Sequence, residues 1–189
     1  MNKAILFSKF WLITGLILVT IIFRIIPHPF NVTPVMAISL FAGATISDKR
    51  WSILIPVLAM FLSDVILSLT NHYSLFHNTI FFVYGSILIT VGLGWNLQSK
   101  KVNVGKTALF TLISSILFFV ITNIGVWLFG GLYSQDISGL EKCFVMAIPF
   151  FKYSLLGDSF FVMVLFGTYE FISQRFPGKF SDMSAERIR

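Results

Sequence analysis

Six long apolar runs constrain the fold of this chain more than any other feature of its sequence. A helix needs roughly 20 mostly apolar residues to cross the hydrocarbon core of a bilayer. The runs come close to that length, and they occupy residues 10–27, 32–47, 51–70, 79–97, 108–130 and 144–174. They leave no room for a soluble domain, and only 12% of the 189 residues are charged, against about 25% in typical soluble domains.

The same runs indicate helices, because none alternates apolar and polar residues as the strands of a membrane barrel do. We therefore predict an all-α fold, a polytopic membrane bundle of six transmembrane helices that forms a single integral membrane domain over residues 1–189. The second run is short and begins at Pro34, so we expect it to span with help from its neighbours. The sixth contains Pro149, and we expect its first turns to bend or to lie near the interface.

Basic residues cluster at alternate ends of the predicted helices. The N-terminus, the 2/3 and 4/5 connections and the C-terminus hold 11 of the 14 basic residues, namely Lys3, Lys9, Lys49, Arg50, Lys100, Lys101, Lys106, Arg175, Lys179, Arg187 and Arg189. By the positive-inside rule, both termini are then cytoplasmic, and residues 176–189 form a short basic cytoplasmic tail. The net charge of +6 thus reflects topology, and we predict no nucleic-acid partner.

Embedded polar residues fall mainly in the predicted outer half of the membrane, which indicates a functional site there because charges in hydrocarbon are costly. Lys152 and Asp158 lie six residues apart, about 600° around a helix, so they face different directions. We predict that Lys152 pairs with Asp64 across helices and that Asp158 bonds to a neighbouring helix or a water. The alternatives are a buried strut for the Asp64–Lys152 pair and a packing role for Asp158. We expect Arg24 to extend to the outer interface.

Five further residues complete the predicted solute site. Asn123 and Trp127 lie four apart on one helical face, which suits a polar anchor beside an aromatic wall. An interfacial belt is the simpler role for Trp127. We predict Asn31, Tyr84 and Tyr153 as a secondary wall of the same pocket.

Small residues recur every four positions in the second run, at Ser39, Gly43 and Ser47. Such spacing lets another helix approach closely. Packing within the bundle is the favoured interpretation, and a docking face for a partner subunit is the alternative.

The sequence has no motif that predicts catalysis or ATP hydrolysis. Its single cysteine, Cys143, cannot form an internal disulfide, and no cysteine and histidine spacing resembles a zinc site. We therefore predict that the protein is not an enzyme and has neither a metal nor a cofactor.

Five segments together resemble a family of uncharacterised bacterial six-helix membrane proteins: NVTPVMAISLFAGA (31–44), SDVIL (63–67), FVYGS (82–86), NIGVWLFGGLY (123–133) and AIPFFKYSLLGD (147–158). The resemblance implies a bacterial cytoplasmic (inner) membrane protein. In that family an arginine and a threonine are usual where this chain has Lys152 and Ser154. More distantly, the layout is similar to the S components of energy-coupling-factor vitamin transporters, which bind a micronutrient near the outer surface and dock on a transmembrane subunit with two ATPases.

The sequence thus favours a membrane component that binds and takes up a small, vitamin-like solute through an outward-facing pocket. Its expected partners are the lipid bilayer, the solute and, if the distant similarity holds, a transmembrane coupling subunit with ATPases. Two alternatives remain. An ion-coupled secondary carrier would use Asp64 and Asp158 as proton or sodium sites, and a structural subunit would have no pocket.

Overall fold

The computed structural model describes residues 3–26, 31–71, 74–99 and 101–175, and within the first helix it describes side chains from residue 14 onward. In this part of the chain the regular elements are six helices, with turns and loops between them and no strand, which confirms the predicted all-α class. The predicted tail at 176–189 lies outside it. The six helices are α1 (Lys3–Ile25), α2 (Val35–Thr45), α3 (Lys49–Asn71), α4 (Ile80–Trp95), α5 (Val104–Phe129) and α6 (Ile137–Arg175).

Three of these helices, α3, α5 and α6, are long and apolar enough to cross a membrane. Two of the other helices, α2 and α4, are shorter than a full membrane span. The 11 residues of α2 would extend only about 16 Å at 1.5 Å per residue, roughly half of the hydrocarbon thickness. The 16 residues of α4 are also fewer than a full span needs. In α1, which is 23 residues long, the part with described side chains is the apolar segment Thr14–Ile25.

The short helix α2 forms the centre of the bundle. All of its residues from Val35 to Thr45 are buried, and it contacts each of the other five helices. Its apolar side chains and those of α6 form the main core, where the Phe41 ring meets Phe166 edge-on with centroids 5.2 Å apart. The second apolar run, which the sequence predicts as a membrane span, is therefore enclosed by the other helices over Val35–Thr45.

Two glycines let α2 and α4 touch through their backbones. A Cβ added at Gly43 would lie 2.2 Å from the Val91 carbonyl oxygen, and one added at Gly94 would lie 2.4 Å from the Leu40 carbonyl oxygen. Ser39, one turn before Gly43, is also fully buried. The small-residue pattern of the second run thus serves packing within the bundle, as favoured, and these positions form no exposed docking face.

Among the helices that begin earlier than the apolar runs predict, α5 and α6 have polar caps ahead of them. The Asn103 side chain accepts a hydrogen bond from the Lys106 backbone N–H at 2.9 Å and begins α5. The Asp136 carboxylate does the same for Gly139 at 2.7 Å, at the start of α6. Side-chain caps satisfy N–H groups that have no partner within the helix. From there α6 continues through Pro149 for 39 residues.

Candidate functional site

A buried ion pair connects α1 and α3. Nη2 of Arg24 lies 2.7 Å from Oδ1 of Asp64, and the two side chains are 13% and 2% exposed. The phenolic hydroxyl of Tyr84, on α4, donates to the other carboxylate oxygen, Oδ2, at 2.8 Å. Three helices therefore converge on one carboxylate. We call Arg24, Asp64 and Tyr84 the polar cluster.

The other terminal nitrogen of Arg24, Nη1, also makes hydrogen bonds. Nη1 donates to the Met60 carbonyl at 3.2 Å and to the Ser63 hydroxyl. Since Ser63 in turn donates to the Met60 carbonyl at 2.7 Å, one turn of α3 supplies all of these acceptors. A planar guanidinium suits such a set because its donors have a fixed fork geometry. Both terminal nitrogens of the guanidinium thus have acceptors on α3.

The predicted partner of Asp64 was wrong, since Arg24 occupies the place assigned to Lys152. Lys152 is exposed on α6 and makes no ion pair within the described residues. Its exposure explains this, because an exposed lysine can extend its ammonium away from the apolar bundle and into water. The expectation that Arg24 would extend to the interface was also wrong.

The sequence contained a signal for the true pair. Arg24 is near the C-terminal end of α1 and Asp64 is in the second half of α3, and both were assigned to the outer side of the membrane. Opposite charges at one depth are natural partners in an apolar medium. What the sequence lacks is the information that α3 packs against α1 at the level of Arg24 and Asp64.

A second buried carboxylate lies between α5 and α6. The Ser115 hydroxyl donates to Oδ2 of Asp158 at 2.6 Å, and Asp158 is only 3% exposed. This is the predicted bond to a neighbouring helix. No basic side chain pairs with Asp158 among the described residues, unlike Asp64. Ser115 is also the third of three buried hydroxyl residues at successive turns of α5, after Thr107 and Thr111.

Asn123 and Trp127 bond near the C-terminal end of α5 and not to the polar cluster. The Asn123 amide donates to the Phe119 carbonyl at 2.7 Å, and the Trp127 indole N–H donates to the Ser134 carbonyl at 2.9 Å. The Cys143 thiol, buried on α6, lies 3.5 Å from the Asn123 carbonyl oxygen. These contacts join α5 to the start of α6, so the two residues have a local structural role whatever else they bind.

Of the predicted secondary wall, the structure brings one residue to Asp64. That residue is Tyr84. Asn31 is exposed and has a φ of 64°, in the left-handed region, which asparagine tolerates better than most residues. Tyr153 is 49% exposed on α6. Within the described residues, no group of three His, Cys, Asp or Glu side chains could hold a metal ion.

An apolar groove lies between the N-terminal half of α5 and the C-terminal half of α6. We call it the inner groove, because both of these helix ends were assigned to the cytoplasmic side. Its volume is about 670 Å³, and none of the eight predicted site residues lines it. The walls include Thr111, Leu112, Leu155, Val162, Met163 and Phe166. Sequence reasoning missed it because a groove with apolar walls leaves no polar signal in a membrane helix.

A family model matches residues 5–179, nearly the whole chain, and its description is a family of unknown function, DUF6580. The chain belongs to this family. The match confirms the predicted resemblance to an uncharacterised family. No curated protein and no solved structure matches the chain.

Proposed function

We propose that this DUF6580 member is a multi-pass protein of a bacterial inner membrane that binds a small solute from the outer side and contributes to its uptake. In this proposal the chain crosses the membrane six times, with both termini in the cytoplasm. The polar cluster carries the proposal, because two charged groups and a phenol from three helices meet inside an apolar bundle. Ionisable groups at such positions commonly mark solute or ion pathways.

The chemistry of the cluster suggests what kind of solute it would take. Asp64 is almost fully enclosed, but the Arg24 side chain keeps 13% of its surface exposed. An arginine at the site favours a solute with a carboxylate, phosphate or carbonyl oxygen, which a guanidinium binds well. Asp64 and Tyr84 would then hold Arg24 in a fixed orientation. Asn123, Trp127, Lys152, Asp158, Asn31 and Tyr153 remain predicted contacts for the rest of the solute.

Native mass spectrometry of the protein, extracted gently from its own membranes, tests this proposal. We expect a retained small molecule in the wild type and its loss in the double variant Arg24→Gln/Asp64→Asn, which avoids leaving one buried charge alone. Lys142→Gln is the matched control, since it removes an exposed cation on the same predicted side. Wild-type protein that carries only lipid would contradict the proposal and favour a structural subunit.

The same experiment tests for a coupling partner. The chain has no recognisable ATPase motif, so ATP-driven uptake would require a co-extracted subunit with ATPases. The small-residue positions of α2 are buried, and such a subunit would therefore contact another face. Among the described residues, exposed large apolar side chains are most numerous on α6. Retained solute without any co-extracted ATPase would exclude this form of coupling.

An ion-coupled carrier is the second candidate, and the Asp158–Ser115 pair favours it. A carboxylate with a hydroxyl partner and no cation, in the middle of apolar helices, can exist as the neutral acid or bind a small cation. Dicyclohexylcarbodiimide, which modifies protonated carboxyl groups in apolar surroundings, distinguishes the two buried aspartates. We expect an adduct on Asp158 and none on Asp64, whose carboxylate is paired with Arg24. An absence of labelling at Asp158 at acidic pH would remove this candidate.

A further inference from the structure

We propose that the inner groove is a binding site for an anionic phospholipid, with an acyl chain in the groove and the phosphate at its cytoplasmic mouth. This site is separate from the polar cluster and does not depend on the proposed solute function. The walls of the groove, the charges at its mouth and their predicted side of the membrane support this site.

The walls provide the surface that an acyl chain needs. Leu112, Met163 and Phe171 line the groove, and they are 42%, 72% and 70% exposed. Each side chain would thus be covered by whatever fills the groove. The volume of about 670 Å³ lies within the range of roughly 300–1,000 Å³ that is usual for small-molecule sites. Because the walls belong to two membrane-spanning helices, lipid is the apolar molecule present at highest concentration beside them.

The mouth of the groove provides the preference for an anion. Val102 and Gln174 line its inner end, and the basic residues Lys101 and Arg175 are their immediate and exposed neighbours. Lys106 is also near, but its ammonium already donates to the Asn96 carbonyl at 2.6 Å.

The carboxylate of Glu170, at the mouth of the groove, already accepts two hydrogen bonds within the protein. Glu170 accepts from the Val102 backbone N–H at 3.2 Å and from the Gln174 side chain at 3.0 Å, one bond on each carboxylate oxygen. Basic residues therefore outnumber carboxylates among the described residues at the mouth. This charge balance complements a phosphodiester with a net negative charge, and anionic lipids are enriched in cytoplasmic leaflets.

Substitution of a glycine in the wall can fill the groove. Gly167 lines it, and a Cβ added there would meet no atom within 4 Å. Gly167→Leu should therefore place a side chain in the groove without moving either helix. Gly92→Leu is the matched control, because a Cβ at Gly92 on α4 also meets nothing within 4 Å, and Gly92 lies outside the groove.

The experiment is a native mass spectrometry titration of the purified chain with phosphatidylglycerol and with phosphatidylcholine of the same acyl composition. We expect a clear preference for phosphatidylglycerol. Lys101→Gln/Arg175→Gln should weaken its binding by about fivefold for each basic residue removed and leave phosphatidylcholine unchanged. Lys49→Gln/Arg50→Gln, an equal change of charge on the same predicted side, should have no effect on either lipid.

The groove variants complete the test. Gly167→Leu should abolish retention of phosphatidylglycerol, whereas Gly92→Leu should preserve it, with thermal unfolding used to verify that both variants fold. If Gly167→Leu fails to fold, Met163→Trp fills the same space from one turn earlier on the same face of α6. Equal binding of the two lipids, retention in the filled variants, or a dimer that excludes lipid would each overturn the proposal.

Discussion

At the scale of single residues, the Asp64 carboxylate shows what the sequence can and cannot predict. Its depth, its burial and its need for a basic partner follow from hydrophobicity and the cost of a charge in hydrocarbon. The choice between Arg24 and Lys152 does not, because it depends on which helices are neighbours. Tyr84 was placed in the same predicted pocket only as a wall residue, and it proved to bond directly to Asp64.

The ion pair leads to a prediction about stability. Asp64→Asn leaves the Arg24 guanidinium buried without its counter-charge, and we expect a loss of about 3–5 kcal/mol in the free energy of unfolding. Arg24→Leu/Asp64→Leu removes both charges and should be clearly more stable than either single variant. A double-mutant cycle from unfolding in detergent measures the difference. If the two single losses simply add, the pair is not coupled and this description of the site is wrong.

At the scale of helices, apolar runs predicted all six elements, but they located the ends of α5 and α6 poorly. The caps explain the difference, since the first turns of α6 include Glu141 and Lys142, which a search for apolar residues excludes. The spacing of Ser39, Gly43 and Ser47 correctly predicted close packing. It could not identify α4 as the partner, since contact between distant parts of a chain leaves no local pattern.

Two glycines test the contact between α2 and α4, because an added Cβ would clash at Gly43 and would meet open space at Gly92. Gly43→Ala places a Cβ against the Val91 carbonyl, so the helices must separate, and we expect a loss of about 1–3 kcal/mol. Gly92→Ala meets nothing within 4 Å and should stabilise α4 by about 0.5–1 kcal/mol through its helix propensity. Thermal unfolding of the two variants should therefore shift in opposite directions. Shifts of the same sign would show that the backbone contact at Gly43 does not determine how closely α2 and α4 pack.

The cap of α6 predicts a dependence on pH. The Gly139 backbone N–H, and then the Ser134 hydroxyl, hold the pKa of Asp136 below its usual value. A lowered pKa means that the cap stabilises α6 above the ordinary pKa of an aspartate and is lost as the pH falls through the lowered value. Because intrinsic amide exchange itself slows as the pH falls, the quantity to follow is the protection relative to that intrinsic rate. We expect protection at the start of α6 to fall over that acidic interval.

Two substitutions separate the cap from other effects of pH. Asp136→Ala should accelerate exchange at Gly139 at all pH values, because the N–H loses its acceptor. Asp136→Asn keeps an oxygen acceptor and should exchange slowly with no such acidic step. Hydrogen–deuterium exchange with peptide-level detection measures both. A persistent step in Asp136→Asn would assign the pH dependence to another group.

At the scale of the whole molecule, composition predicted a membrane protein, and the structure provides three helices that are long and apolar enough to cross. Positions of basic residues predict which ends are cytoplasmic, and this awaits a direct test. The inner groove was not predictable, because its walls are the same leucines, methionines and phenylalanines that any lipid-facing helix carries.

Accessibility of introduced cysteines measures the topology. In a Cys143→Ser background, we expect Gln135→Cys, in the 5/6 connection, to react with a membrane-impermeant maleimide on intact cells. Asp48→Cys, in the 2/3 connection, should react only after the membrane is opened. Both positions are exposed, so burial does not limit either reaction. Reaction of both residues from one side would exclude the six-span arrangement.

The central position of α2 has a consequence for how the protein is made. Its packing partners include α3, which follows it directly, and α6, which follows only after three intervening helices. While a ribosome is still synthesising α3 to α5, α2 has no complete shield, and it is too short to anchor itself across the bilayer. The insertion machinery, or a membrane chaperone, must therefore shelter this segment until α6 arrives and closes the core.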